Sequence, residues 1–150
     1  MPAKRLMQSR VMVIIVLILL ALQFELGMTV NIANPPSIPP FRLSLNGVSN
    51  ALHQAGVVAV VHASLGVWLV IFSAISLVFS LKSGGRIVQV FGILAFLTTF
   101  LAATTGLLFV LSGFQNDGYT HGMATNFLLS FSFYFLELYF LKPTLTAAGK

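Results

Sequence analysis

Four long apolar stretches constrain the fold of this chain more than any other feature. They predict helices at residues about 11–30, 52–81, 87–112 and 120–141. About 20 apolar residues in a helix cross the hydrocarbon core of a bilayer. Only 7% of the residues are charged, against about 25% in an ordinary soluble domain. The sequence therefore predicts an all-α integral membrane protein.

The connections between these helices indicate how they are arranged. Short connections favour an up-and-down four-transmembrane-helix bundle, formed here by a single domain over residues 1–150. The first connection, residues 31–51, is longer and contains two Pro-Pro pairs. We expect it to form a lid over the outer mouth of the bundle, and an ordinary surface loop is the alternative. The basic segment before the first stretch also leaves a secretory signal as an alternative to a first span.

The basic residues predict the orientation of the bundle, because Lys and Arg are retained on the cytoplasmic side of short loops. Only Arg42 falls in a predicted outer loop. The predicted cytoplasmic segments carry Lys4, Arg5, Arg10, Lys82, Arg86, Lys142 and Lys150. We therefore expect a multi-pass protein of the cell membrane with both termini in the cytoplasm. This distribution accounts for the net charge of +5, so no nucleic-acid partner is predicted.

Two histidines lie inside the predicted spans at matching heights. At a rise of about 1.5 Å per residue, His62 lies roughly 28 Å from Leu81, and His121 lies roughly 30 Å from Leu141. Their helices, the second and fourth, are diagonal in an up-and-down bundle. Imidazoles on diagonal helices at one level face a common axis, which is the geometry of bis-histidine heme ligation. The alternative is that each histidine only bonds a neighbouring helix.

Small residues at the same level would leave room for a flat cofactor. Gly66 lies one turn beyond His62, and Gly106 ends the sequence "LAATTG" on the third helix. Small residues let a cofactor or another helix approach the backbone closely. The sequence thus predicts Gly66 and Gly106 as cofactor-binding positions beside the iron ligands His62 and His121.

Other polar residues supply further candidates. His53 and Arg42 are predicted to hold the heme propionates, and an interfacial position is the alternative for His53. Glu25 falls within the first span, where it could donate or relay a proton, or pair with Arg42. Glu137 lies near the cytoplasmic end and is expected to anchor the helix by pairing with Lys142 or Lys82.

Other chemistry is less favoured by the residues present. Separated histidines without an obvious nearby carboxylate make a weak zinc site. The chain contains no Cys, so disulfides, thiolate metal sites and cysteine nucleophiles are excluded.

The two histidine segments resemble a known family. "VVHASLGVWLVIFSAISLVFSL" looks like the ligand helix of heme A synthases, and "THGMATNFLLSFSFY" is similar to the helix of the partner histidine. The resemblance covers one four-helix half of that eight-helix family and implies a heme site between His62 and His121. It departs from the family at Ala59, where a glutamate commonly stands, and in lacking the outer-loop cysteine pair.

These observations lead to three functional hypotheses. The first is a membrane cytochrome that binds heme b and exchanges electrons with a quinol or another redox partner. The second is a heme-modifying enzyme related to heme A synthase, with Glu25 as its catalytic acid, for which a homodimer would recreate the two halves. The third is a non-catalytic accessory subunit of a larger membrane complex. All three place the chain in a lipid bilayer.

Overall fold

A computed structural model of the chain describes residues 3–33, 38–82 and 85–141. Within these ranges the secondary structure is entirely α-helical. The helices are α1 (Ala3–Ile32), α2 (Leu45–Ala55), α3 (Val57–Leu81), α4 (Arg86–Leu111) and α5 (Asp117–Phe140). The prediction of an all-α chain is confirmed for this part of the protein.

The four long helices form a bundle in which each packs against two neighbours. Helix α1 contacts α3 and α5, and α4 also contacts α3 and α5. Helices α3 and α5 are therefore diagonal. The start of α4 meets the end of α5 at Gly92 and Glu137, and the end of α4 meets the start of α5 at Gly106 and Met123. These two helices are antiparallel.

The two ends of the bundle differ. The short helix α2 packs against α3 and α4, and it lies at the end where α3 and α5 begin and α1 and α4 finish; we call this the α2 end. The opposite end, where α1 begins and α5 finishes, is called the terminal end. The histidines His62 and His121 belong to the half of the bundle nearer the α2 end.

Membrane-compatible helices are present in the described part of the chain. Leu6–Ile32, Val57–Leu81 and Arg86–Leu111 are each long and apolar enough to cross a bilayer. The outward surfaces of the bundle are also apolar: Leu22, Leu97 and Leu128 are among many exposed large side chains. Apolar outward faces suit a lipid environment, since lipid replaces water around the bundle.

Gly56 separates α2 from α3 within the predicted second helix, residues 52–81. Its φ of 100° lies in a region that L side chains rarely adopt, so the helix changes direction there. Upstream, the Ser44 hydroxyl accepts a hydrogen bond from the Gly47 amide at 3.0 Å and caps α2. Part of the predicted loop 31–51 is therefore helical. The two ends of α2 therefore depend on capping and backbone conformation rather than on apolar content.

The segment before α2 is attached to the connection between α4 and α5. The Ile38 amide donates to the Gly113 carbonyl, and the Phe41 amide donates to the Leu111 carbonyl, both at 3.2 Å. The Gln115 side chain also donates to the Ile38 carbonyl at 2.9 Å. Residues 38–41 of the predicted lid therefore cross the α2 end. Pro35 and Pro36 lie outside the described residues, as do Lys142 and Lys150, two of the basic residues from which the orientation is predicted.

Close packing is concentrated in the terminal half of the bundle. The fully buried residues of the four long helices there include Val13, Leu20, Leu69, Ala95 and Tyr134. In contrast, residues 21–32, 60–68, 100–111 and 117–129 contain no fully buried residue. Ala59 is the one buried position of these helices near the α2 end. The half that contains the histidines is thus the more loosely packed.

The contact of α3 with α4 in the terminal half depends on Gly92. A Cβ at this position would lie 2.6 Å from the Ser80 Cβ and 2.8 Å from its hydroxyl oxygen. We predict that Gly92→Ala lowers the free energy of unfolding by about 1–3 kcal/mol, because the helices would have to separate. Thermal unfolding of the purified protein measures this. Gly122→Ala is the control, since its Cβ would meet Thr105 only at 3.4 Å; equal stability of the two variants would contradict the prediction.

Candidate functional site

His62 of α3 lies against α1 rather than against its diagonal partner. Its Nε2 is 3.3 Å from the Nε2 of Gln23. A Cβ added at Gly27 would lie 3.0 Å from the imidazole Cε1. The ring therefore occupies space that a side chain at position 27 would fill. The Nδ1 of His62 and the Oε1 of Gln23 are both buried without a hydrogen-bond partner. The pair therefore leaves one polar atom unsatisfied on each side chain.

His121 lies in the second turn of α5, on the diagonal helix, and its side chain is exposed. Within the described ranges, the His121 side chain forms no hydrogen bond with His62 or with any other residue. The structure brings the two histidines to the same loosely packed half, as their heights along the sequence predict.

The predicted cofactor-binding glycines contact neighbouring side chains. A Cβ at Gly66 would lie 3.1 Å from the Gln23 amide nitrogen, and one at Gly106 would lie 3.2 Å from the Met123 sulfur. Both glycines therefore allow close approach between helices in this conformation. Gly66 also belongs to the His62 surroundings, because Gln23 contacts both residues.

The remaining predicted site residues lie at the surface of the α2 half. Glu25, Arg42 and His53 are all exposed. Neither Glu25 nor Arg42 forms a side-chain hydrogen bond or ion pair with another described residue. The His53 carbonyl accepts the Gly56 amide at 3.2 Å and helps to end α2. Within the described ranges, no side-chain hydrogen bond joins any of these three residues to His62.

A second polar region, in the terminal half, is more fully connected. We call it the hydroxyl seam, and it consists of Ser73, Ser76, Ser80, Thr98, Thr99, Ser130 and Tyr134. All seven side chains are buried. Across α3 and α5, the Ser73 and Tyr134 hydroxyls lie 2.6 Å apart. Between α4 and α5, the Ser130 hydroxyl lies 2.9 Å from that of Thr98 and 3.2 Å from that of Thr99.

Glu137 lies at the terminal end of the hydroxyl seam and is completely buried. Its carboxyl group bonds the Ser80 hydroxyl of α3, whereas Lys82 is exposed. The expectation that Lys82 pairs with this residue is therefore wrong, and Lys142 lies outside the described residues. Depth along a helix does not reveal which way a side chain faces.

The sequence did contain a signal for this buried region. Ser73, Ser76 and Ser80 recur at helical spacing, and so do Ser130, Tyr134 and Glu137. Residues three or four apart share one helix face. Reading those two polar stripes together would have predicted that they face each other. Gln23, the partner of His62, does not belong to a comparable stripe of polar residues at helical spacing.

Comparison with known proteins gives no family for the chain. A scan of protein-family models, a search of curated proteins and a search of solved structures each returned no match. Among the described residues, no group of three or more His, Cys, Asp or Glu side chains is placed to hold a metal ion. The resemblance to heme A synthases stays a prediction.

The Ser73–Tyr134 contact supports a prediction about stability. Tyr134→Phe and Ser73→Ala should each lower the free energy of unfolding by about 0.5–1.5 kcal/mol, because each removes a buried hydrogen bond. The double variant should lose less than the sum of the two, since both changes break the same bond. Denaturation of the purified variants measures this coupling. Tyr119→Phe with Ser73→Ala is the control pair and should be additive; additivity in the Tyr134 pair would contradict the assignment.

Proposed function

We propose that the chain is a four-span membrane protein whose terminal end faces the cytoplasm. In this arrangement α5 is the fourth span, and its 24 residues extend roughly 36 Å at about 1.5 Å per residue. Lys82 and Arg86 lie at the terminal end, whereas Arg42 lies near the α2 end. This distribution supports the orientation through the retention of basic residues in the cytoplasm.

We further propose that the α2 half binds one heme b, with His62 and His121 as the axial ligands of the iron. One observation carries this proposal: two histidines lie on diagonal helices, and both belong to the loosely packed half of the bundle. The donor set fits the group, because neutral imidazole nitrogen is a common heme ligand. The buried, unpartnered Nδ1 of His62 also shows that Gln23 leaves this ring incompletely bonded.

The residues around the histidines would orient them. The Gln23 amide lies within hydrogen-bond distance of the His62 Nε2, so it would help to set the orientation and tautomer of that ring. Gly27 and Gly66 keep the space beside it free of side chains. Arg42 and His53, at the exposed edge of this half, are proposed to neutralise the heme propionates.

Electron transfer is the reaction that this ligand set favours. When bound, heme b would supply a one-electron Fe(III)/Fe(II) couple, and His62 and His121 would hold its iron through their imidazole nitrogens. The partners would be a quinol or another redox centre at the α2 end. A heme-modifying reaction would need an acid near the heme, and Glu25 is exposed and unbonded to other described side chains. We therefore rank that alternative, with its proposed homodimer, below electron transfer.

A second candidate function is favoured by the Gln23–His62 contact itself. Polar side chains that bond across helices stabilise membrane bundles. If this is the whole role of His62, the chain is a non-catalytic accessory subunit that packs in a larger membrane complex. That reading predicts a colourless purified protein and normal assembly of the His62→Gln variant.

The proposed orientation can be measured by cysteine labelling, because the chain contains no Cys. We predict that an impermeant maleimide labels Asp117→Cys, but not Lys82→Cys, in right-side-out membrane vesicles. Both parent residues are exposed, so both variants should react after the membrane is opened. Labelling of Lys82→Cys in sealed vesicles would contradict the proposed orientation.

The heme proposal predicts a specific absorption signature. The protein purified after expression with ample heme should show a low-spin reduced-minus-oxidised spectrum at about one heme per chain. His62→Ala and His121→Ala should each lose this spectrum. His53→Ala removes a proposed propionate contact and no iron ligand, so it should keep the low-spin band shape at an equal or lower heme content. A colourless wild-type protein, correctly folded and heme-supplied, would overturn the cytochrome assignment in favour of the accessory subunit.

A further inference from the structure

Glu137 is the most deeply buried acidic residue in the described part of the chain, and three helices meet around it. Its own helix is α5, the Ser80 hydroxyl approaches from α3, and Gly92 approaches from α4. A Cβ on Gly92 would lie 3.5 Å from the Glu137 Oε1. Glu137 and Ser80 are at most 1% exposed. The carboxyl group is therefore enclosed by protein rather than directed along the surface.

The hydrogen bonds of Ser80 indicate the protonation state of this carboxyl group. The Ser80 hydroxyl lies 2.9 Å from the Ser76 backbone carbonyl, which can only accept. It also bonds the Glu137 Oε1. A serine hydroxyl carries one hydrogen, so donating to both oxygens at once would divide it between two weaker, bifurcated bonds. Two full bonds form when Ser80 donates to the carbonyl and Glu137 donates to Ser80. That arrangement requires a protonated carboxyl group.

The second carboxyl oxygen leads to the same conclusion independently. Glu137 Oε2 is buried and has no hydrogen-bond partner. Within the described ranges, no Lys, Arg or His forms an ion pair with Glu137. A buried ionised carboxylate needs a counter-charge or several donors, and neither is provided here. A neutral carboxylic acid tolerates one unpartnered oxygen far better than a carboxylate does.

Hydroxyl groups and the end of α3 lie close to the carboxyl group. Ser80 is one residue from the end of α3, and the next residues, Leu81 and Lys82, are exposed. In the other direction lie the hydroxyls of the seam, beginning with Tyr134 one turn away on α5. The Ser76 hydroxyl is a further buried group without a partner. Hydroxyl groups both accept and donate protons, so they can pass a proton without changing their own charge.

We propose that Glu137 is a proton-binding site, which holds one proton in the folded protein at neutral pH and exchanges it with the terminal end through Ser80. The ligand is the proton, and the transfer involves no change in oxidation state. As the Glu137 O–H bond breaks, a new O–H bond forms on the Ser80 oxygen, and the Ser80 hydroxyl, turned away from the Ser76 carbonyl, gives its own proton to a solvent water at the terminal end. The reverse transfer returns a proton to the carboxylate. The site is separate from the heme site and does not depend on it.

Infrared spectroscopy of the purified protein in lipid tests this proposal directly. The wild type at neutral pH should show the C=O band of a protonated carboxylic acid. Labelling glutamate with ¹³C at the side-chain carboxyl should shift the band, which excludes Asp117 and the C-terminus. Glu137→Gln should lose the band, and Glu25→Gln, the matched control at an exposed glutamate, should keep it. Transfer to D₂O should shift the band promptly while the protein stays folded.

Each other outcome would overturn the proposal. Absence of a glutamate carboxylic-acid band in the folded wild type would mean that Glu137 is ionised. If the band is lost in Glu25→Gln and kept in Glu137→Gln, the protonated carboxyl group is that of Glu25 and not that of Glu137. A band that stays unshifted in D₂O would show a sealed hydrogen bond that only holds the helices together. If Glu137→Gln does not fold, the isotope shift in wild type combined with the Glu25→Gln spectrum still makes the assignment.

Discussion

The hydrogen-bonding demand of buried polar groups is the constraint on which the rest of this bundle depends. In an apolar surrounding, a hydroxyl or carboxyl group that turns inward must find its partner in the protein. The hydroxyl seam meets most of this demand, Ser76 excepted. It joins α3 to α5 through Ser73 and Tyr134, and α4 to α5 through Ser130 and Thr98. These directional bonds fix the rotation of α3, α4 and α5 about their axes. Apolar contacts alone would allow many rotations.

Helix α1 is attached to this framework by a different kind of contact. Val13, Val16, Leu17 and Leu20 pack in the terminal half, and dispersion forces between such side chains have little directional preference. Beyond Leu20 the character of α1 changes: Gln23 bonds His62, and Phe24 stacks on Phe127 with ring centroids 5.2 Å apart. The bundle thus combines a closely packed terminal half, in which hydrogen bonds fix the helix orientations, with an α2 half whose side chains are less tightly packed. Sites that bind and change partners are drawn from such regions.

The sequence predicted the parts of the fold that follow from apolar length and missed those that follow from side-chain direction. Helices of spanning length and the diagonal relation of α3 and α5 could be predicted, because hydropathy and short connections determine them. The break at Gly56 could not, since it depends on one φ angle. For the candidate site, the heights of His62 and His121 were available from counting. The Gln23 partner and the burial of Glu137 required the rotation of each helix, which weakly periodic apolar stretches do not reveal.

The attachment of residues 38–41 to the α4–α5 connection affects how these segments can vary. The Ile38–Gly113 and Phe41–Leu111 hydrogen bonds join backbone groups. Almost any residue at position 38 or 41 can therefore form them. Gly113 is different, because its φ is 70° and a Cβ there would overlap the Ile38 carbonyl oxygen. Related sequences that share this crossing are therefore free to diverge along residues 38–41, but they must keep glycine at position 113. The attachment therefore limits sequence change at position 113 far more than at the residues that it holds in place.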